Sequence, residues 1–211
     1  MRVIAGEFRS RKLQSMPGTE VRPTPDRLRE TLFNILAAEM PGAVFVDAYA
    51  GTGSVGIEAL SRGARHVIFI EKDRATADLI KSILSSLRAL SRARVICGSG
   101  AIHLSGIAAD IVFIDPPYPK EKEYAAAMHA LERNPPRLVI AQHSIRFALE
   151  EAYGPLRRTR YLRQSDNALS FYKPRSETAQ AETPRAETTQ AETTQVETTQ
   201  VETAQAETPA D

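Results

Sequence analysis

Two short stretches hold the residues whose types and spacing could do chemistry. The first, Asp47-Ala48-Tyr49-Ala50-Gly51-Thr52-Gly53-Ser54-Val55-Gly56, follows an apolar run at 44–46. Its glycines fit the G-x-G-x-x-G spacing, which lets the backbone turn sharply and a ligand approach the main chain over a helix N-terminus. The second, Asp115-Pro116-Pro117-Tyr118, follows the run Ile111–Ile114. Two prolines fix φ and remove two N–H donors, so the chain leaves the strand in an extended turn whose carbonyls need not join a ladder. A carboxylate beside a proline carbonyl can accept both N–H bonds of a planar exocyclic amine. Tyr118 adds a ring on which a base can stack.

Asp47 decides between cofactors. A carboxylate at a strand end would repel the pyrophosphate of NAD but suits a zwitterion whose ammonium needs a partner and whose carboxylate can face the helix dipole. S-adenosylmethionine (AdoMet) is such a ligand. Glu71, after the run at 67–70, is placed to accept bonds from ribose hydroxyls, a role that fits NAD equally well. The chemistry expected is methyl transfer to the amine of adenine, cytosine or guanine. It would rest on positioning by Asp115, Pro116, Pro117 and Tyr118, with the activated methyl supplied by the cofactor. Cys97 is the only cysteine and His66, His103, His129 and His143 are scattered, so no metal site is expected.

Certain elements must position these groups. The apolar runs at 44–46, 67–70, 95–97, 111–114 and 138–141 are continuous, as in parallel strands buried on both faces. Helical periodicity predicts helices at 55–62, 74–90 and 124–133, the second capped by Asp73. This alternation predicts an α/β fold, a doubly wound, mostly parallel Rossmann-like sheet with both motifs at its carboxyl edge. Residues 156–162 and 168–172, flanking 163–167, predict an antiparallel hairpin at the sheet edge. Thr24-Pro25-Asp26 opens a helix that continues to Leu36, with Pro25 in its first turn. The first twenty residues read as a small hairpin carrying Arg2, Arg9, Arg11 and Lys12.

Composition changes at Ser176, where pentapeptide units such as Ala-Glu-Thr-Thr-Gln begin. With no aromatic residue, this stretch has too little apolar surface to offset ordering entropy and reads as a disordered acidic tail. It holds seven Glu, Asp211 and a single basic residue, Arg185, so the whole chain's +1 divides into −7 for the tail and +8 for residues 1–175. A basic domain favours a polyanionic partner, and Arg9, Arg11 and Lys12 are candidates for its phosphates. The chain divides into an RNA-facing extension at 1–40, a methyltransferase domain at 41–174 and the tail at 175–211. No apolar run has the length of a signal peptide or a membrane span, so a cytoplasmic monomer without membrane contact is expected.

Three further stretches are more specific than the two motifs: Arg2-Val-Ile-Ala-Gly-Glu-Phe-Arg-Ser-Arg-Lys-Leu13, Arg22-Pro-Thr-Pro-Asp-Arg-Leu-Arg-Glu-Thr-Leu-Phe-Asn-Ile-Leu36 and Gly56-Ile-Glu-Ala-Leu-Ser-Arg-Gly63. Over residues 2–173 the chain resembles the ribosomal small-subunit methyltransferase D family, bacterial enzymes that modify the exocyclic N2 of a guanine in 16S rRNA. The resemblance implies AdoMet contacts at Asp47, Gly51, Gly53 and Glu71, and at Ser99, which has a shorter reach than the acid or amide common there. It places the target amine among Asp115, Pro116 and Tyr118, and makes 16S rRNA, within an assembling or assembled small ribosomal subunit, the partner. Gln142 stands where the family tends to have Glu.

The nearest alternative is a DNA adenine-N6 or cytosine-N4 amino-methyltransferase. Such enzymes share the loop and clamp but not this N-terminal segment, and the short stretch from 118 to 124 leaves no room for a target-recognition insert. A protein-glutamine methyltransferase would carry Asn at position 115. The intact motifs oppose a nucleic-acid-binding module with a dead site, and Asp47 opposes an NAD enzyme.

Overall fold

Each of the five apolar runs becomes a parallel strand. The computed structural model describes residues 2–14, 25–117 and 121–175. The parallel strands are β1 (Val44–Asp47), β2 (His66–Glu71), β3 (Ala93–Cys97), β4 (Ile111–Ile114) and β5 (Leu138–Ser144). They join β6 (Ala152–Tyr153), β7 (Leu156–Gln164) and β8 (Asn167–Pro174) in an eight-stranded sheet of order β3-β2-β1-β4-β5-β8-β7-β6. The pairs among β1 to β5 are parallel, and β8, β7 and β6 continue the sheet antiparallel. This is the doubly wound Rossmann-like fold, with the hairpin of β7 and β8 turning at Ser165 (φ 54°).

Both faces of the sheet are buried at β1, β2, β4 and β5, which is why those strands read as unbroken apolar runs, whereas the outer strand β3 is only partly covered. On one face Phe45, Phe69, Phe113 and Ile140 pack against Leu32, Phe33, Ile57, Leu60 and Ile80. These come from α1 (Asp26–Ile35), α2 (Ser54–Ser61) and α3 (Arg74–Ser86). On the other face Val46, Ile70, Ile114 and Tyr172 meet Tyr124, Met128 and Leu131, from and just after α5 (Glu121–Ala130). Asp73 caps α3 as expected, its carboxylate accepting from Thr76 N at 2.8 Å.

Several boundaries differ from the sequence reading. The apolar pattern of the second helix runs on to Leu90, but α3 ends at Ser86 because Arg88 adopts φ 57°, and a single 3-10 turn (Leu90–Arg92) follows. Leu90 is 50% exposed, so its spacing carried no packing information. Pro25 is the N-cap of α1 and lies outside its first turn. A short helix between β3 and β4, α4 (Gly100–Leu104), has five residues, too few to leave a periodic signal.

The N-terminal hairpin is reduced to one antiparallel bridge, Arg2 with Lys12. Val3 N donates across it to Arg11 O and Ser10 N to Val3 O, while other N–H groups of the segment go elsewhere. Ile4 N and Ala5 N donate to the Glu58 carboxylate at 2.8 and 3.0 Å, Phe8 N donates to Ser61 Oγ, and Glu7 N to Ser61 O. Gly6 (φ 81°) makes this docking possible, because a Cβ there would fall 1.8 Å from Ser61 O. Val3, Phe8 and Leu13 enter the same core as the strands.

Glu58 is the anchor of this docking. It is 1% exposed, accepts from Arg62 Nε at 2.8 Å, and lies 3.9 Å from Nε of the fully buried Arg29. Arg29 donates to Arg2 O and to Asp26. Arg29 pairs with Glu58, and farther along Asn34 pairs with Arg62, so α1 and α2 run in the same direction. The first turn of α1 therefore lies toward the glycine-loop end of α2. Removing one partner of a buried charge pair costs about 3–5 kcal/mol. Glu58→Ala should lose stability on that scale in urea denaturation, and a loss below about 1 kcal/mol would show that the N-terminal segment is held by its apolar contacts instead.

Candidate active site

Strand order sets the order of side chains along the carboxyl edge of the sheet. From β3 to β5 the sequence is Ser99, Glu71, Asp47, Asp115 and Gln142. The chain winds outward in one direction through β2 and β3 and in the other through β4 and β5. The crevice between β1 and β4 is therefore the switch point at which open α/β sheets take ligands.

The glycine loop is held from below by carboxylates. Gly51 (φ 51°) and Gly53 (φ 77°, the N-cap of α2) supply the left-handed turns. Gly51 N donates to Glu71 Oε2 at 2.8 Å, Gly53 N to Ala50 O at 2.7 Å and Gly56 N to Asp47 Oδ2 at 2.9 Å. The other oxygen of Glu71 accepts from Asp73 N at 2.8 Å, so both oxygens are engaged, each with a further lone pair available. Gly53 serves the turn itself: a Cβ there would lie 3.2 Å from Ile80, pointing into the core.

Asp47 is 1% exposed and sits beneath the loop, where it bonds the backbone of α2. Burial pushes its pKa up to about 7, against the Gly56 N–H, which favours the charged form, and with a further push from the Glu71 charge. A proton is thus often present at neutral pH, and repulsion of phosphate by Asp47 is weaker than its residue type suggests.

Ser99 is the N-cap of α4 and makes no side-chain cap bond. The bond from Gly98 N to Glu71 O, 2.9 Å, keeps it beside β2. Gly100 lets α4 press on the turn after β1, since a Cβ there would fall 2.5 Å from Ala48 O. Tyr49, which the sequence reading passed over, donates its OH to Glu123 Oε2 at 3.1 Å and so ties the loop to α5. Burial raises its pKa, and the Glu123 charge adds to that. Its position between Asp47 and Gly51 was the available signal.

Asp115 is half-buried, Pro116 buried and Pro117 exposed; Tyr118 lies outside the described residues, as do the expectations for the tail. Arg9, Arg11 and Lys12 are exposed. Arg9 joins Arg2, Arg27, Asp26 and Glu30 around a cleft of about 370 Å³ at the first turn of α1. Among the described residues, none of the glycine loop, Asp115, Pro116 or Pro117 lines that cleft.

The family described as Conserved hypothetical protein 95 matches residues 1–173. The chain belongs to this family, that of the ribosomal small-subunit methyltransferase D proteins. The Bacillus subtilis protein YlbH is 33% identical over 184 residues, 83% of this chain and 100% of YlbH. Ribosomal RNA small subunit methyltransferase D of Escherichia coli K12 is 42% identical over 120 residues, 56% of this chain and 60% of that relative. The solved structure of Escherichia coli yhhF superposes with a TM-score of 0.74 at 31% identity, covering 84% of this chain and 99% of that one.

The buried loop acid of this family member gives a pH signature. The folded-state pKa of Asp47, about 7, lies above the ordinary aspartate value, so the native state holds a proton that the unfolded chain releases. The corresponding stability is complete below about pH 4 and is lost as pH rises through about 7, a difference of roughly 4 kcal/mol at most. Asp47→Asn keeps an acceptor for Gly56 and never ionises. Relative to wild type it should gain stability between about pH 4.5 and 8 in urea titrations. Parallel stability curves would show that Asp47 titrates as an ordinary carboxylate.

Proposed function

We propose that this chain is an AdoMet-dependent methyltransferase acting on the exocyclic N2 amine of a guanine in 16S rRNA, in the cytoplasm and as a monomer. The observation that carries the cofactor assignment is the use of the loop's own donors. A pyrophosphate cradle needs backbone N–H groups turned toward the ligand. Here those of Gly51, Gly53 and Gly56 are given to Glu71, Ala50 and Asp47. That arrangement suits a nucleoside cofactor without phosphates, its ribose hydroxyls at Glu71 and its ammonium over the Asp47 end of β1. Relatives named as ribosomal RNA small subunit methyltransferases supply the substrate class.

AdoMet, when bound, supplies an activated methyl group on its sulfonium. The chain's part is to hold and orient the acceptor. The Asp115 carboxylate and the Pro116 carbonyl accept the two N–H bonds of the guanine amine, which draws electron density onto nitrogen and aims its lone pair at the methyl. As the N–C bond forms, the amine's proton leaves toward Asp115 or water. Tyr118 provides the stacking surface. Arg9, Arg11 and Lys12 grip phosphates of the RNA, in keeping with the net +8 of residues 1–175. Among the described residues no helix is long and apolar enough to cross a membrane.

Asp115→Ala should bind AdoMet as wild type does by calorimetry and lose about 100-fold or more of the single-turnover rate. Transfer at the wild-type rate would remove Asp115 from the clamp. Mass spectrometry of 16S rRNA from a strain lacking the gene should show one N2-methylguanine missing, whereas a loss confined to DNA methylation would favour the amino-methyltransferase alternative. Neutralising Arg9, Arg11 and Lys12 together should lower the slope of log affinity against log salt by about one unit per lost phosphate contact. An unchanged slope would mark them as solvated surface.

A further inference from the structure

Gln142 is 5% exposed, and its side-chain oxygen Oε1 has no hydrogen-bond partner among the described residues. An aliphatic residue of similar shape would avoid that cost, so an unmade acceptor in a folded core calls for a donor from outside. The backbone of Gln142 is already provided for, its carbonyl accepting from Tyr124 OH at 2.7 Å.

Its place in the sheet says where the donor comes from. The pairing of Ile114 with Ala141 brings the next two residues, Asp115 and Gln142, side by side at the carboxyl edge, on chains about 4.8 Å apart. Strand alternation puts Gln142 on the face of Ile140 and Phe113, the face that carries α1 and the glycine loop. Two strands further, Gln164 has a second buried Oε1 without a partner among the described residues, and its opposite on β8 is the buried amide Asn167. Register places both on the same face as Gln142. Buried amides thus run along this edge of the sheet from β5, next to Asp115, out to β7.

We infer that Gln142 is a specificity-determining residue, its Oε1 accepting the N1–H of the target guanine while Asp115 and Pro116 hold the N2 amine. The inference rests on the reading that a guanine amine is the target. In guanine the N1–H and N2–H donors are adjacent on one edge, so two neighbouring acceptor positions can engage both. Adenine and cytosine present a ring acceptor next to their amine, which would face the oxygen of Gln142 lone pair to lone pair.

The test compares RNA carrying guanine at the target position with RNA carrying 2-aminopurine, which keeps the N2 amine but lacks N1–H. The full chain is used as wild type, Gln142→Leu and Gln142→Glu. Wild type should prefer guanine in kcat/KM by about 10- to 100-fold, the range of a lost hydrogen bond to a buried acceptor. Gln142→Leu should hold AdoMet normally, melt no lower than wild type, and methylate both substrates at nearly the same rate. Gln142→Glu retains an acceptor and should keep the preference. A Gln142→Leu enzyme with the wild-type preference, or one equally impaired on both substrates, would overturn the inference. If Gln142→Leu fails to fold, Gln142→Met is read by the same ratio. Failure of the underlying function would be visible in wild type alone, as methylation of a different base or none.

Discussion

Helix α2 lies close to the sheet only because position 56 has no side chain: a Cβ there would fall 2.2 Å from the ring of Phe69. That approach fixes the first turn of the helix above the end of β1. It is what allows Asp47 to reach Gly56 N at 2.9 Å, and it leaves the left-handed turns at Gly51 and Gly53 as the path back to the strand. The outward side of the same helix presents Glu58 and Ser61, which bind the N-terminal segment and, through Arg29, α1. The proposed cofactor loop and the basic segment are thus referenced to one eight-residue helix, and a change in its height above the sheet would move both.

The electrostatics of the loop follow from this packing. Asp47 and Glu71 end adjacent strands, and each takes a loop N–H. Burial is the main cause of the raised pKa of Asp47, and the neighbouring charge of Glu71 adds to it. A cationic group arriving over β1 would favour the ionised form and expel the proton, which makes ligand binding and protonation of Asp47 linked events. The acid then acts through the loop it braces, and its burial keeps it from being a simple surface counter-ion.

Much of this was legible in the sequence because the determinants are local or periodic. Unbroken apolar runs gave five parallel strands, Asp73 announced the start of α3, and the two motifs fell at strand ends on one edge. What was missed depends on three-dimensional neighbours. The apolar spacing of Leu87 and Leu90 continued the α3 pattern, yet Arg88 turns left-handed and the helix stops. Nothing in residue order says that Gly56 folds over Asp47 and that the acid braces the loop from beneath. Gly53 looked like clearance for a ligand, and only the helix direction shows its missing Cβ pointing at Ile80. The first segment does turn back on itself, bridging Arg2 to Lys12, but the partners that dock it, Glu58 and Ser61, lie about fifty residues away in the chain.

The hairpin of β7 and β8 looks like an appendage to the parallel core, but it decides the environment beside the clamp. Without β8, β5 would be an edge strand, and the Gln142 amide would meet water that could satisfy both of its polar atoms. Pairing of Gln142 with Leu169 in β8, and of Leu169 with Leu162 in β7, replaces that water with aliphatic side chains. The same addition moves the open edge of the sheet out to β6, a strand of two residues that offers little to pair with. The antiparallel extension therefore buries the side-chain oxygen of a polar strand end next to Asp115. A dehydrated acceptor discriminates between bases more strongly than a wet one, because a base lacking the matching donor leaves it unpaired with no water to take its place.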